Sequence, residues 1–168
     1  MYERHFGFTE KPFNLTPDPR YLFLSPKHQE AYANLEFGVR ERNGFLLLTG
    51  EVGTGKTTLV RHFLSQVGPD VRTAVILYPA LSAGELFHAI LQDLEVPFAG
   101  GSLKDAVDTL ANALIEAKAL HLKVVVLIDE AQNLKPHVLE QLRLLSNLET
   151  EREKLITLVL VGQPELRD

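Results

Sequence analysis

One eight-residue segment restricts this chain more than any other. Residues 50–57 match in full the phosphate-binding-loop pattern G-x-x-x-x-G-K-[ST]. An apolar run at residues 44–49 precedes them, and apolar residues at helical spacing follow over residues 58–64, which predicts a strand before the loop and a helix after it. The alternative is a glycine-rich turn that only joins strand to helix, and the full motif in this context favours a nucleoside triphosphate site. The predicted nucleotide-binding residues are Gly50, Glu51, Val52, Gly53, Thr54, Gly55, Lys56, Thr57 and Thr58.

The residue types in this loop explain how it would bind phosphate. Glycine allows the backbone to curl, so that successive N–H groups point at phosphate oxygens. A helix that begins near Lys56 adds its unpaired N–H groups and the positive end of its dipole. The Lys56 ammonium would reach the β- and γ-phosphates, and the Thr57 hydroxyl would ligate Mg²⁺.

A pair of acidic residues follows the most apolar strand pattern in the chain. Residues 124–128 read Val-Val-Val-Leu-Ile, and Asp129 and Glu130 come directly after them. In P-loop proteins a carboxylate at this place holds Mg²⁺, which predicts that role for Asp129. Neighbouring strand residues point to opposite sides, so Glu130 suits the orientation and deprotonation of an attacking water. The alternative is that two polar residues simply end a strand.

A residue that activates water bears on the class of reaction. A small-molecule kinase transfers phosphate to an acceptor and gains nothing from such a residue, whereas a hydrolase needs one. Gln163 lies just past the last predicted strand, at residues 156–161. If that strand lies beside the two motif strands, the Gln163 amide holds the attacking water or detects the γ-phosphate. The alternative is a polar turn residue before Pro164.

Apolar patterns typical of strands and helices alternate along the chain. Strands are predicted at residues 44–49, 73–77, 124–128 and 156–161, each apolar throughout. Helices are predicted to start at Ser25-Pro26, Ser82, Ser102 and Pro136, the first ending near Asn43 and the last at Leu148. This order is typical of an α/β fold in which helices cover both faces of a parallel sheet.

The first 24 residues carry many aromatic side chains that are broken up by prolines. Aromatic residues need burial and prolines prevent a regular helix, so we predict an ordered arm across the nucleotide domain. That arm either only covers the core or also lies near the adenine. We therefore divide the chain into residues 1–43, the arm and first helix packed on the core, and residues 44–168, the nucleotide-binding domain.

Composition disfavours several other classes of protein. The net charge of the 168 residues is −5, which gives no strong signal for nucleic acid or for an anionic membrane surface. Cysteine is absent, and the six histidines are too widely spaced to fit a metal-ligand pattern. No signal-peptide core is present and no apolar run approaches about 20 residues, so the expectation is a soluble cytoplasmic protein.

With these motifs placed, the sequence resembles the AAA+ ATPases and, among them, the general secretion pathway protein A-like group. The matching stretches are F-G-F at residues 6–8, K-P-F at 11–13, T-P-D-P at 16–19, and residues 44–58, 127–132 and 161–166. A vast superfamily shares the phosphate loop, whereas the N-terminal arm and the G-Q-P-E-L ending are much more particular. The resemblance runs almost from end to end.

The resemblance implies a three-layer P-loop NTPase sandwich whose five-stranded parallel sheet has the order 5-1-4-3-2. It implies ATP and Mg²⁺ as cofactors, and hydrolysis linked to assembly of an envelope machine such as a secretion system, pilus or exopolysaccharide exporter. It also implies self-association of the full-length protein and a partner at the inner membrane or in envelope assembly. In that family the segment before the first strand lies near the adenine, and Gln163 is similar to the residue called sensor 1.

Two departures from the family pattern bear on mechanism. Relatives usually have Asn-Pro after the second strand, where the Asn can restrain the catalytic Glu, and here the pair is Tyr78-Pro79. The sequence also stops before the fifth strand, the arginine finger and the helical lid of the family, and Arg167 does not match that finger. It therefore looks like part of a longer protein, and as it stands we expect it to bind ATP and hydrolyse it poorly.

Two other functions stay open at this point. A nucleotide-gated DNA-transaction adaptor of the transposition type shares this nucleotide core, but it needs a basic face, and here Lys and Arg are scattered. A P-loop kinase is disfavoured by Glu130 and by the absence of an arginine-rich acceptor lid.

Overall fold

The computed structural model describes residues 5–7, 23–149 and 153–167. Its strands are β1 (Phe45–Thr49), β2 (Val71–Ile76), β3 (Lys123–Ile128) and β4 (Thr157–Gly162). Its longer helices are α1 (Pro26–Arg40), α2 (Lys56–Gln66), α3 (Ala83–Asp93), α4 (Leu103–Ala119) and α5 (Pro136–Ser146). Short 3-10 turns at Ala131–Asn133 and Pro164–Arg167 follow β3 and β4. Most of the N-terminal arm lies outside the described residues, so its role stays a prediction.

The strands form one parallel sheet in the order β1-β4-β3-β2. β4 lies between β1 and β3, with Leu160 opposite Leu47 on one side and Ile128 on the other. This arrangement confirms the predicted α/β fold and the predicted order of its first four strands. Parallel strands end at the same edge of a sheet, so the segments that follow β1, β3 and β4 meet there, where α/β proteins bind their ligands.

Helices cover the sheet from both sides and produce three layers. On one side α1 and α2 pack against the sheet through Leu35, Val39, Val60 and Phe63. On the other side α3, α4 and α5 form a larger core with β2, β3 and β4. Because β3 and β4 lie in the middle of the sheet, their alternating side chains enter both cores, which is why these two strands are apolar throughout.

Helices cover both faces of the sheet, as predicted, but they cover β1 less completely than the other strands. Its Leu46 and Leu48 pack against the core beneath α1 and α2. Phe45 and Leu47 point to the opposite face and are 37% and 50% exposed. β1 lies at the edge of the described sheet, and α3, α4 and α5 pack over the other three strands. The apolar run thus identified a strand and not its place in the sheet.

Two helices end a few residues before the predicted positions. α1 ends at Arg40, because the chain leaves the helical conformation just beyond it. Arg42 has a left-handed φ of 55°, and the Asn43 N–H donates a hydrogen bond to the carbonyl oxygen of Gly38 at 2.9 Å. α5 ends at Ser146. The last turn there tightens, since the N–H groups of Asn147 and Leu148 each bond to the carbonyl three residues before.

Candidate nucleotide-binding site

The predicted phosphate loop connects β1 to α2 at the carboxyl edge of the sheet. Gly53 and Gly55 have φ angles of 78° and 83°, in the left-handed region that favours glycine. A Cβ at Gly53 would meet no atom within 4 Å, so the backbone conformation and not lack of space requires glycine there. Gly55 is the residue before the first turn of α2, and the unpaired N–H groups of that turn therefore belong to the loop.

The structure brings Thr57 and Asp129 together although 72 positions separate them. The Thr57 hydroxyl donates to Oδ2 of Asp129 at 2.8 Å, and Oδ1 of the same carboxylate accepts the N–H of Glu130 at 2.9 Å. Asp129 is only 5% exposed, so these two bonds fix its orientation. A hydroxyl and a carboxylate supply the oxygen atoms that Mg²⁺ prefers, and the pair therefore fits the metal that the motif implies.

The Lys56 ammonium folds back onto the loop to which it belongs. Its Nζ donates to the carbonyl oxygen of Gly50 at 2.6 Å and to that of Glu51 at 2.9 Å. These bonds place the positive charge between the beginning of the loop and the beginning of α2. A cation in that position fits a polyphosphate chain that lies along the loop.

Apart from Asp129, the predicted site residues line two clefts that meet at the loop and share Lys56. One cleft, of about 290 Å³, is lined by Val52, Gly53, Gly55, Lys56, Thr57, Thr58, Glu130 and Gln163. The other, of about 520 Å³, contains Gly50, Glu51 and Thr54 together with residues of α1. The residues predicted from three separate stretches of sequence therefore lie around one loop.

Gln132 is a residue of this site that the motif analysis did not single out. Its side-chain Nε2 donates to Oε2 of Glu130 at 2.5 Å, and its Oε1 accepts the backbone N–H of Gln163 at 3.1 Å. Glu130 itself has a left-handed φ of 52°, which is uncommon outside glycine and concentrates at functional sites. The amide that contacts Glu130 thus comes from Gln132, whereas Tyr78, after β2, is 83% exposed.

His28 is a second residue that the sequence did not reveal. Its Nε2 donates to the carbonyl oxygen of Thr54 at 2.8 Å, and its Nδ1 lies 3.0 Å from the Ser25 hydroxyl. Because a carbonyl can only accept, Nε2 carries a proton. Ser25 also begins α1, since its hydroxyl accepts the N–H of His28. The start of α1 is thereby tied to the phosphate loop across 26 positions of sequence, a separation at which no local pattern signals a contact.

Replacing His28 with alanine is expected to weaken Mg·ATP binding up to about tenfold, because the loop loses a bond that holds its shape. Isothermal calorimetry measures the change in Kd, and thermal unfolding shows whether the fold is intact. His137→Ala, at an exposed position of α5, is the matched control and should leave Kd unchanged. An unaltered Kd for His28→Ala would mean that the contact with Thr54 does not support binding.

The chain is similar to proteins of one family and to one curated relative in particular. The family model described as AAA domain matches residues 39–168. General secretion pathway protein A from Aeromonas hydrophila is 47% identical over 168 residues, which is 99% of this chain and 31% of that protein. The chain therefore spans about a third of the length of the curated relative that it matches.

Solved structures with a similar fold include Cdc6 and ORC proteins. The crystal structure of Cdc6p from Pyrobaculum aerophilum has a TM-score of 0.66 at 24% identity, covering 93% of this chain and 42% of that one. The ADPNP-ADP complexes of Aeropyrum pernix ORC2 have a TM-score of 0.64 at 17% identity, covering 90% and 44%. The Aeropyrum pernix ORC1 protein in complex with DNA has a TM-score of 0.62 at 22% identity, covering 90% and 40%. At these identities the likeness establishes a shared fold.

Among the residues that the structure describes, no helix combines the length and the apolar character that crossing a bilayer requires.

Proposed function

The chain belongs to the AAA domain family of nucleotide-binding ATPases, and on that premise we propose that this site binds Mg·ATP and hydrolyses it to ADP and phosphate. The observation that carries the proposal is the 2.8 Å hydrogen bond from Thr57 to Asp129. It joins the phosphate loop to the acidic strand end at one point of the sheet edge. Glu130 and Gln163 line the same cleft as Lys56, which supports a reaction at the end of a bound triphosphate.

Each residue has a role that follows from its chemistry. The loop N–H groups and Lys56 bind the phosphate oxygens, and Lys56 stabilises the charge that develops on them. Thr57 and Asp129 would hold Mg²⁺, and the metal would supply positive charge that offsets the charge of the phosphates. Glu130 orients a water molecule and accepts its proton as the water attacks phosphorus. Gln163 contacts the γ-phosphate or that water from the end of β4.

A titration followed by a single-turnover experiment tests this proposal. Calorimetry with Mg·ATP should give a saturable heat of binding. With the chain in excess over ATP labelled in its γ-phosphate, the label should appear as inorganic phosphate, and removal of Mg²⁺ by EDTA should abolish its release because the charge on the phosphates is then unshielded. The absence of a binding heat would contradict nucleotide binding, and transfer of the label to an added small acceptor would identify a kinase instead.

The name of the curated relative supports a wider role for this site. The Aeromonas hydrophila protein is named for the general secretion pathway and is 47% identical over this segment. We therefore propose that, on the cytoplasmic side of the envelope, nucleotide state sets contacts between copies of the protein, or with an inner-membrane partner, during assembly of a secretion machine or a related one. The net charge of −5 disfavours binding to the phosphates of DNA. A mobility shift of duplex DNA that requires ATP would nevertheless favour the adaptor function instead.

A further inference from the structure

The side chain of Gln132 connects two residues of the site that come from different strands. Its Nε2 donates to Oε2 of Glu130, after β3, and its Oε1 accepts the backbone N–H of Gln163, after β4. Both polar atoms of the amide are therefore used, one on each neighbour. Gln132 is partly buried in the short 3-10 turn over residues 131–133, which limits the positions its side chain can take.

Gly162, the last residue of β4, leaves the room that this side chain occupies. A Cβ at Gly162 would lie 2.6 Å from Oε1 of Gln132 and 3.4 Å from its backbone nitrogen. The first distance is shorter than real contacts of a Cβ atom, whereas the second is an ordinary van der Waals contact. The amide thus fits into a space that any larger residue at position 162 would fill.

We propose that Gln132 is a positioning residue for ATP hydrolysis: it orients the Glu130 carboxylate and holds it at a fixed position relative to the end of β4. This inference rests on the function proposed above. Glu130 is exposed, so without a partner its side chain would sample several rotamers. The bond to Oε2 removes that freedom and leaves Oε1 for the attacking water.

The chemistry of an amide suits this position better than that of a charged side chain. A lysine or arginine would neutralise Glu130 and make it a weaker base, whereas a carboxylate would repel it. A neutral N–H donor orients the carboxylate and leaves its charge in place. The amide oxygen of Gln132 accepts the Gln163 N–H, and this hydrogen bond holds the Nε2 donor at a fixed distance from the end of β4.

Two substitutions at position 132 test the proposal by separating the hydrogen bond to Glu130 from the hydrogen bond to Gln163. Gln132→Ala removes both, whereas Gln132→Glu keeps an oxygen for the Gln163 N–H and replaces the donor with a like charge. Each should lower the single-turnover rate of hydrolysis about 10- to 100-fold, with Kd for Mg·ATP within about twofold of wild type. Asn133→Ala, exposed in the same turn, is the matched control and should keep the wild-type rate.

A double-mutant cycle with Glu130→Gln distinguishes positioning from a general structural effect. If Gln132 acts through Glu130, adding Gln132→Ala to Glu130→Gln should change the rate by less than about twofold. A structural role would lower the rate in both backgrounds by the same factor. Gly162→Ala should also slow hydrolysis, because its methyl group would lie 2.6 Å from Oε1 of Gln132 and 2.9 Å from Cδ2 of Leu166, so the Gln132 amide must move.

The outcomes that overturn the inference differ from those that overturn the proposed function. Full hydrolysis rates in Gln132→Ala and Gln132→Glu, with a wild-type chain that binds and hydrolyses ATP, would overturn the positioning role and leave the function standing. Equal losses of rate in both backgrounds of the cycle, or a parallel loss of Mg·ATP affinity, would do the same. A wild-type chain that does not bind Mg·ATP would overturn both.

Discussion

Replacing Glu130 with glutamine is expected to lower the rate of ATP hydrolysis by about 10²–10⁴-fold and to leave the affinity for Mg·ATP unchanged. The amide of glutamine has the shape of the carboxylate and can still accept the hydrogen bond from Gln132. It cannot take a proton from water, so binding and geometry are retained while the proton transfer is lost.

The surroundings of Glu130 make this substitution a clean test. Its backbone N–H is bonded to Asp129, and its side chain lies at the cleft that Lys56, Thr57 and Gln163 also line. Neither contact needs a negative charge on position 130, so the fold and the metal ligands should not change. A general effect on stability would lower binding as well as rate.

Single-turnover release of phosphate measures the rate, and calorimetry measures the affinity. Glu116→Gln removes the same charge from an exposed position of α4, far from the loop in sequence, and should behave as wild type. Hydrolysis at the wild-type rate in Glu130→Gln would show that Glu130 does not activate the attacking water.

Replacing Lys56 with alanine is expected to weaken the binding of Mg·ATP about 10- to 100-fold, because a charge-assisted contact with the phosphates is lost. In the structure the ammonium is bonded to the carbonyl oxygens of Gly50 and Glu51, within the loop. Glu51 is exposed and Gly50 is only partly buried. In the Lys56→Ala chain both carbonyl oxygens can therefore accept hydrogen bonds from water instead, and the melting temperature should change little.

Calorimetry of the Lys56→Ala chain with Mg·ATP measures this loss of affinity. Lys104→Ala is the charge-matched control, since Lys104 pairs with exposed Asp108 on α4 and such pairs contribute little to stability. Wild-type affinity in Lys56→Ala would contradict the placement of the triphosphate along the loop. Together with Glu130→Gln, this variant separates binding of the nucleotide from its hydrolysis.

Much of the fold and of the site could be predicted because the signals are local. Each of these signals involves residues only a few positions apart. They are the glycines of residues 50–55, the serines that start three of the helices and the apolar runs of the strands. Thr57 and Asp129 were each predicted to hold Mg²⁺, since the two motifs accompany each other in P-loop proteins, and those roles stay predictions. The structure confirms the strands, the helices and the order of the four strands.

The rest could not be predicted, because it depends on which elements become neighbours. The pattern of β1 is as apolar as that of β3, yet Leu47 is 50% exposed and Leu127 is fully buried. Coverage follows from position in the sheet, which the pattern of one strand does not contain. Likewise, nothing near His28 in the sequence distinguishes it from the other five histidines.

Residue order alone predicts the phosphate loop, the acid pair and the alternation of strands and helices, because backbone conformation and periodicity are set within a few residues. The contact of His28 with Thr54 across 26 positions, and that of Gln132 with Gln163 across 31, arise only in the folded chain. Those contacts exist because the order of the strands and the packing of α1 bring distant segments within hydrogen-bond distance, and their partners are chosen by that geometry.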